Sequence, residues 1–345
     1  MKKLENIKVG ISIGDINGIG IEIILKTFDD PRMLELCTPV IFGSSKLISI
    51  HKKELGLDTQ IHGVEHPSKA VNNKINLVNI WKENVDVEFG KETKEGGKYA
   101  YLSLKAATNA LKNDDVDVLV TAPINKHNIQ SDKFTFKGHT EFLEANLEGE
   151  SLMILMNDEL RVGLITGHIP VNNVSETVTP ELIIKKVNLM YNSLIQDFGI
   201  DRPKIAVLGL NPHCGDNGVI GEEDEKITKP TLEKLQKEGK IVYGPYPADS
   251  FFGSGSYKKF DAILAMYHDQ GLAPFKTIAF GGGVNFTAGL NKIRTSPDHG
   301  TAYEIAGKGE AEHNSFKQAV YAAIDIHKSR SRYTELIENK LEIKN

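Results

Sequence analysis

Short β-branched apolar runs recur along the chain, each followed by Gly, Asn or Pro and then by a stretch of helical periodicity. IKVGISIG (7–14), PVIFG (39–43), VDVLVTAP (116–123), SLMILM (151–156), RVGLIT (161–166), KIAVLGL (204–210) and DAILAMY (261–267) read as strands. Between them GKYAYLSLKAATNALKN (97–113), TPELIIKKVNLMYNSLIQDFG (179–199) and TKPTLEKLQKEG (228–239) read as helices, the second with Thr179 as N-cap, Pro180 in its first turn and Gly199 past its end. Such alternation predicts an α/β protein whose largely parallel sheet is covered by helices on both faces.

At 345 residues the chain is long for one hydrophobic core, so two domains are expected, with a single large α/β unit as the alternative. A net charge of -5 gives no basic footprint for nucleic acid, although local cations could still hold an anionic substrate. Cys37 and Cys214 are the two cysteines and form no C-x-x-C pair, as in a protein of a reducing compartment. No apolar run approaches the roughly 18 residues of a membrane span. A cytoplasmic protein, neither exported nor anchored, is the expectation. From about Glu312 onward the chain reads as a helix and then a charged, frayed tail.

In open parallel sheets ligands bind outside the carboxyl ends of the strands, so the residues after each strand matter most. His168 (TGHIP), His213 (NPHCG) and His268 (YHDQG) each follow a predicted strand directly. Three imidazoles at one sheet edge would suit a zinc-class divalent ion with positions left for substrate; as hydrogen-bonded loop residues they would have no such role, and spacing leaves both readings open. Asp269 and Asp249 could orient an imidazole or move a proton, while Asp249 could equally cap a helix. Lys126, Lys276, Asn285 and Arg294 could grip a phosphate or carboxylate, or be ordinary surface groups. At KGHTEFLEANL, His139 or Thr140 would begin a helix whose free NH groups favour an anion, with Thr140 as a mere cap the alternative. The glycines of GDINGIG do not fit G-x-G-x-x-G, and GGGVN (281–285) offers only a permissive backbone.

Eight ordered motifs carry a resemblance that runs nearly end to end: GDINGIGIE (14–22), TAPINK (121–126), GHTE (138–141), TGHIP (166–170), GLNPHCGDNGVIGEE (209–223), GPYPADSFF (244–252), MYHDQGLAPFK (266–276) and GLNKIRTSPDHGTAYEIAGKG (289–309). Together they resemble the 4-hydroxythreonine-4-phosphate dehydrogenase (PdxA) family of pyridoxal-phosphate biosynthesis. The resemblance implies that His168, His213 and His268 bind a divalent metal, whether zinc, magnesium, manganese or cobalt. It implies that His139, Thr140, Lys276, Asn285 and Arg294 bind the phosphorylated substrate. A homodimer of two-domain subunits follows, like isocitrate and isopropylmalate dehydrogenases in fold, with the site in an interdomain cleft and completed across the dimer. The domains are expected at 1–135 plus 285–345, on the nucleotide side, and at 136–284, on the metal and dimerisation side.

DHGTAYEIAGKG (298–309) is similar to the nucleotide loop of the β-decarboxylating dehydrogenases, which places His299 and Glu304 at the cofactor. A carboxylate there accepts a ribose 2'-hydroxyl and repels a 2'-phosphate, so NAD is expected over NADP. The implied reaction is oxidation of 4-phosphooxy-L-threonine at C3 with decarboxylation, with Asp249 and Lys276 as catalytic candidates and either Asp249 or metal-bound water as the base. A paralogous 4-phospho-threonate or 4-phospho-erythronate dehydrogenase of sugar-acid breakdown is the near alternative, and a non-catalytic metal-dependent sugar-phosphate sensor the far one. The family's usual prolines are replaced by Ile16 and Ile21 in the first motif, and Cys214, Asp216 and Asn291 also depart from its pattern.

Overall fold

The computed structural model describes residues 6–339. Its strands are β1 (Ile7–Ser12), β2 (Cys37–Gly43), β3 (Ile61–Val64), β4 (Ile75–Asn79), β5 (Val118–Thr121), β6 (Gly149–Met156), β7 (Arg161–Leu164), β8 (Ile205–Leu208), β9 (Val242–Tyr246), β10 (Ala262–Ala265), β11 (Val284–Leu290) and β12 (Ile293–Pro297). Two compact units divide the chain: Met1–Gly149 with Leu290–His327, and Glu150–Gly289 with Lys328–Asn345, each as far as it is described. The charged tail expected after the last helix, Asn314–Glu338, lies beyond residue 339, outside the described residues. Among the described residues no helix is long and apolar enough to cross a membrane.

In the first unit the strand order is β3-β4-β2-β1-β5-β12, and the pairs β3/β4, β4/β2, β2/β1, β1/β5 and β5/β12 are all parallel. β2 and β5 are buried at every residue, as continuous apolar runs in a covered parallel sheet require. The chain leaves β1 for β2 on one side and returns to β5 on the other. The carboxyl ends of β1 and β5 therefore flank a topological switch point. In the second unit the order is β11-β6-β7-β10-β8-β9, with β6 antiparallel to β7 and the pairs β7/β10, β10/β8 and β8/β9 parallel.

The helix expected at 179–199 runs over Pro180–Gln196, and Thr179 accepts a hydrogen bond from Leu182 N at 3.2 Å. That expected at 97–113 starts earlier, at Lys94, because Thr93 caps it by accepting from Gly96 N at 3.0 Å. Five strands lay outside the apolar pattern: β3 is short and half-exposed, β9 (VYGPY) carries Gly and Pro, and β4, β11 and β12 carry Asn, Thr, Arg and Ser. The unit boundaries at 149/150 and 289/290 also differ from the expected 135/136 and 284/285. The reason is packing: Phe142, Leu143 and Leu147 join Ala100, Leu104 and Phe134 in one cluster of the first unit. Residues after His327 go with the second unit, where Ser329 Oγ donates to Gln196 O at 3.0 Å and Arg330 Nε to Asp197 Oδ1 at 2.5 Å.

The loop after β1 is fixed from beneath by His51. Its ring is 1% exposed, packs edge-on against Phe89 at 4.8 Å, and its Nε2 donates to Ile16 O at 2.9 Å. Burial lowers its pKa to about 4, the bond to Ile16 opposing that in part. The unfolded chain thus takes up a proton below pH 6.5 that the folded chain refuses until about pH 4. Stability falls as pH drops through this window, by about 3 kcal/mol at most for this group. Thermal unfolding between pH 7.5 and 4.5 should show that decline in the wild type and a shallower one in His51→Gln; identical slopes would contradict the assignment.

Candidate active site

The three strands that precede His168, His213 and His268 are neighbours in the second unit, in the order β7-β10-β8 and mutually parallel. Their carboxyl ends leave the sheet at one edge. Beyond β7 the pairing continues, with Ile165 N on Ala265 O at 2.8 Å and both Thr166 N and Thr166 Oγ1 donating to Met266 O, at 3.1 and 2.6 Å. This brings the His168 and His268 rings to 5.4 Å between centroids, at 43°. His268 Nδ1 lies 2.7 Å from Asp269 Oδ1, where the carboxylate accepts from Nδ1–H and orients the ring. Gln270 ties this edge to β8: its Oε1 accepts from Met266 N at 2.7 Å and its Nε2 donates to Gly209 O at 2.6 Å.

His213 is presented differently. It opens a run of left-handed residues, with φ of 52° at His213, 54° at Cys214, 43° at Asp216 and 56° at Asn217, a conformation costing roughly 1–2 kcal/mol per non-glycine residue. The buried Asp224 holds the base of this turn by accepting from Leu210 N and Asn211 N, each at 2.9 Å. Among the described residues no group of three or more His, Cys, Asp or Glu side chains gathers closely enough to hold a metal ion. The structure therefore brings His168 and His268 together and leaves His213 apart from them. Two adjacent imidazoles, one with its ring oriented by Asp269, have the donor chemistry that a zinc-class ion takes.

The expected cluster of Lys276, Asn285 and Arg294 is spread over three elements. Lys276 is exposed on the helix His268–Ile278, Asn285 lies in β11 with a buried Oδ1 lacking a hydrogen-bond partner among the described residues, and Arg294 lies in β12. Asp249 sits in the first turn of Ala248–Gly253, after the N-cap Pro247, and does not cap that helix. Its charge adds to burial and Asp224 in pushing the Cys214 thiol up to about 11, which places it near the His213 turn.

In the first unit Arg294 is only 2% exposed, and Thr121 Oγ1, at the end of the adjacent β5, accepts from its Nε at 3.0 Å and its Nη2 at 2.6 Å. Burial lowers its pKa to about 9, against the opposing charge of Glu141. His139 begins the helix His139–Asn146, and burial, then Arg294 and Lys126, keep it well below the usual histidine range. It is neutral, and its buried Nε2 has no hydrogen-bond partner among the described residues. A buried guanidinium, Lys126 and a helix start carrying Thr140 have the donor chemistry that a compact anion takes.

His299 and Glu304 lie in the loop after β12, where His299 Nδ1 meets Gly300 O at 3.1 Å and its Nε2 is buried without a partner among the described residues, while Glu304 is exposed.

The family model described as pyridoxal phosphate biosynthetic protein PdxA matches residues 35–323. The chain belongs to that family. It is 53% identical over 328 residues to 4-hydroxythreonine-4-phosphate dehydrogenase of Bacteroides thetaiotaomicron, covering 94% of this chain and 90% of that one. It is 35% identical over 329 residues to D-threonate 4-phosphate dehydrogenase of Cupriavidus necator, covering 94% and 98%. The crystal structure of 4-hydroxythreonine-4-phosphate dehydrogenase from Klebsiella pneumoniae superposes with a TM-score of 0.81 at 31% identity, covering 94% of this chain and 99% of that one. PdxA proteins named in this way are dehydrogenases, and this chain is an enzyme of that family.

Among PdxA positions the sequence left unassigned, Asp15, Asn17, Thr93, Asn128 and Tyr303 form a hydrogen-bonded group at the ends of β1 and β5. The signal for it was GDINGIG itself. Gly14, at φ 71°, passes so close to Pro123 that a Cβ would lie 2.2 Å from its carbonyl oxygen. Inorganic phosphate should raise the thermal stability of the wild type, by about 2.7 kcal/mol at a hundredfold excess over its dissociation constant. Arg294→Met should abolish that increment; equal stabilisation of both proteins would contradict the anion site.

Proposed function

We propose that this PdxA protein oxidises 4-phosphooxy-L-threonine at C3 with NAD, with decarboxylation to 3-amino-1-hydroxyacetone 1-phosphate, a step of pyridoxal 5'-phosphate biosynthesis. The supporting observation is the buried Arg294 beside the start of the His139 helix, whose donors are of the kind a compact phosphate takes. In this reading Arg294, Thr140 and Lys126 hold the phosphate. His139, uncharged, adds a hydrogen bond through Nε2. Lys276 and Asn285 are further substrate ligands that orient the carbon chain. Asp249 takes the C3 hydroxyl proton on a carboxylate oxygen. Loss of carbon dioxide follows because the new ketone, β to the carboxylate, accepts the electron pair.

His168, His213 and His268 would hold one divalent ion, zinc, magnesium, manganese or cobalt, with the set completed when two copies associate as a homodimer. Asp269 fixes the His268 ring for that purpose. When bound, the ion supplies Lewis acidity that lowers the alcohol's pKa, and NAD supplies the hydride acceptor. His299 and Glu304 would bind the cofactor, the Glu304 carboxylate accepting the ribose 2'-hydroxyl. A cytoplasmic homodimer with a phosphorylated small-molecule substrate is the form in which we expect it to work.

A second reading, oxidation of 4-phospho-threonate or 4-phospho-erythronate, is favoured by the D-threonate 4-phosphate dehydrogenase relative. It uses the same phosphate and metal groups but a hydroxyl where the amino acid carries ammonium. NADH formation with 4-phosphooxy-L-threonine, abolished by chelator and restored by divalent ion, is the expected result. Turnover only with the sugar-acid phosphates would transfer the assignment to the second reading, and NADH formation unaffected by chelator would remove the metal.

A further inference from the structure

Asp15 is 0% exposed and belongs to none of the substrate, metal or cofactor groups named above. It follows β1 at the switch point of the first unit, and Asp15 N donates to Pro123 O, beyond β5, at 2.9 Å. Its Oδ1 accepts from Asn17 N at 2.9 Å, and its Oδ2 from Asn128 Nδ2 at 2.7 Å and from the Tyr303 hydroxyl at 2.9 Å. Asn128 Nδ2 also donates to Thr93 O at 2.9 Å, so the carboxylate joins segments that meet only in the fold. Buried acceptors of this kind need every one of these donors.

The Tyr303 bond has a further consequence. Tyr303 opens the short 3-10 turn Tyr303–Ile305, whose middle residue is the exposed Glu304. The main chain here is closely confined: Ile19 N donates to Thr301 O at 3.1 Å, and a Cβ on Gly90, at φ 77°, would lie 2.7 Å from Tyr303 O. Ala302 just before the turn is left-handed, with φ 44°. Backbone contacts thus locate the stem of the turn, and the tyrosine hydroxyl ties its side chain to Asp15. Burial, then the charge of Asp15, raise the Tyr303 hydroxyl above its ordinary range, so it stays a neutral donor.

We propose that Asp15 is a positioning residue for the dinucleotide: its carboxylate holds the Tyr303 hydroxyl and thereby sets the turn that presents Glu304 to the ribose. This rests on the reading that loop 298–309 binds NAD. It extends the function of GDINGIG from a tight turn to a support for the cofactor loop.

The test is direct titration of NAD, with kcat and both KM values, on the full-length wild type, Tyr303→Phe, Asp15→Asn and the double variant. In Tyr303→Phe the dissociation constant and KM for NAD should rise about tenfold, the value of one hydrogen bond to a charged acceptor. kcat and the KM for the phosphorylated substrate should stay within about twofold, a split that general loosening of the fold would not give. Asp15→Asn should weaken NAD binding less in the Tyr303→Phe background than in the wild type. If Asp15→Asn fails to fold, Tyr303→Phe alone decides. A wild type that binds NAD while Tyr303→Phe binds it equally well overturns this inference only. Equal effects of Asp15→Asn in both backgrounds overturn the route through Tyr303. A wild type that binds no NAD overturns the inference together with the reading beneath it.

Discussion

Parallel pairing of short buried strands is the constraint on which the rest of the structure depends. A parallel ladder forces every strand of a run to leave the sheet at the same edge, and buried strands leave no room for polar side chains until they end. In the second unit the ladder β7-β10-β8 delivers TGHIP, YHDQG and NPHCG to one edge. In the first unit β1, β5 and β12 do the same for GDINGIG, TAPINK and the loop 298–309. His168 and His268, far apart in sequence, become neighbours because their strands do, while His213 leaves the same edge without joining them.

Polar groups drawn into such edges must be satisfied or they cost folding energy. Arg294 and Asp15 show two solutions at almost complete burial. Arg294 donates to Thr121 from Nε and Nη2, and burial depresses its pKa against the opposing charge of Glu141. Asp15 is already satisfied by three donors, and this makes it a support and not a binding group. His139, neutral and with a buried Nε2, lies with the first kind.

Much of this was legible in the sequence where burial was the dominant force. Seven apolar runs became strands, and the alternation with helices gave the α/β class, because period and apolarity directly reflect which faces are covered. β12 was harder to read, since Ile293–Pro297 contains Arg, Thr and Ser and is nonetheless fully buried. Lys276 could not be placed on a helix from its neighbours, as Pro274 argues against one, yet Pro274 lies inside His268–Ile278. The unit boundary moved for a tertiary reason, the aromatic packing of Phe134 with Phe142 at 5.5 Å, which no local pattern reports. The left-handed turn at His213 likewise depends on Asp224, a contact made across 13 residues.

The most direct test of the account is the metal content of the purified protein, measured by elemental analysis for the wild type and for His168→Ala and His268→Ala. A divalent ion bound in the wild type and lost from either variant, with the fold retained, is the expected result. Undiminished metal in both variants would contradict the claim that the edge of β7 and β10 assembles the centre.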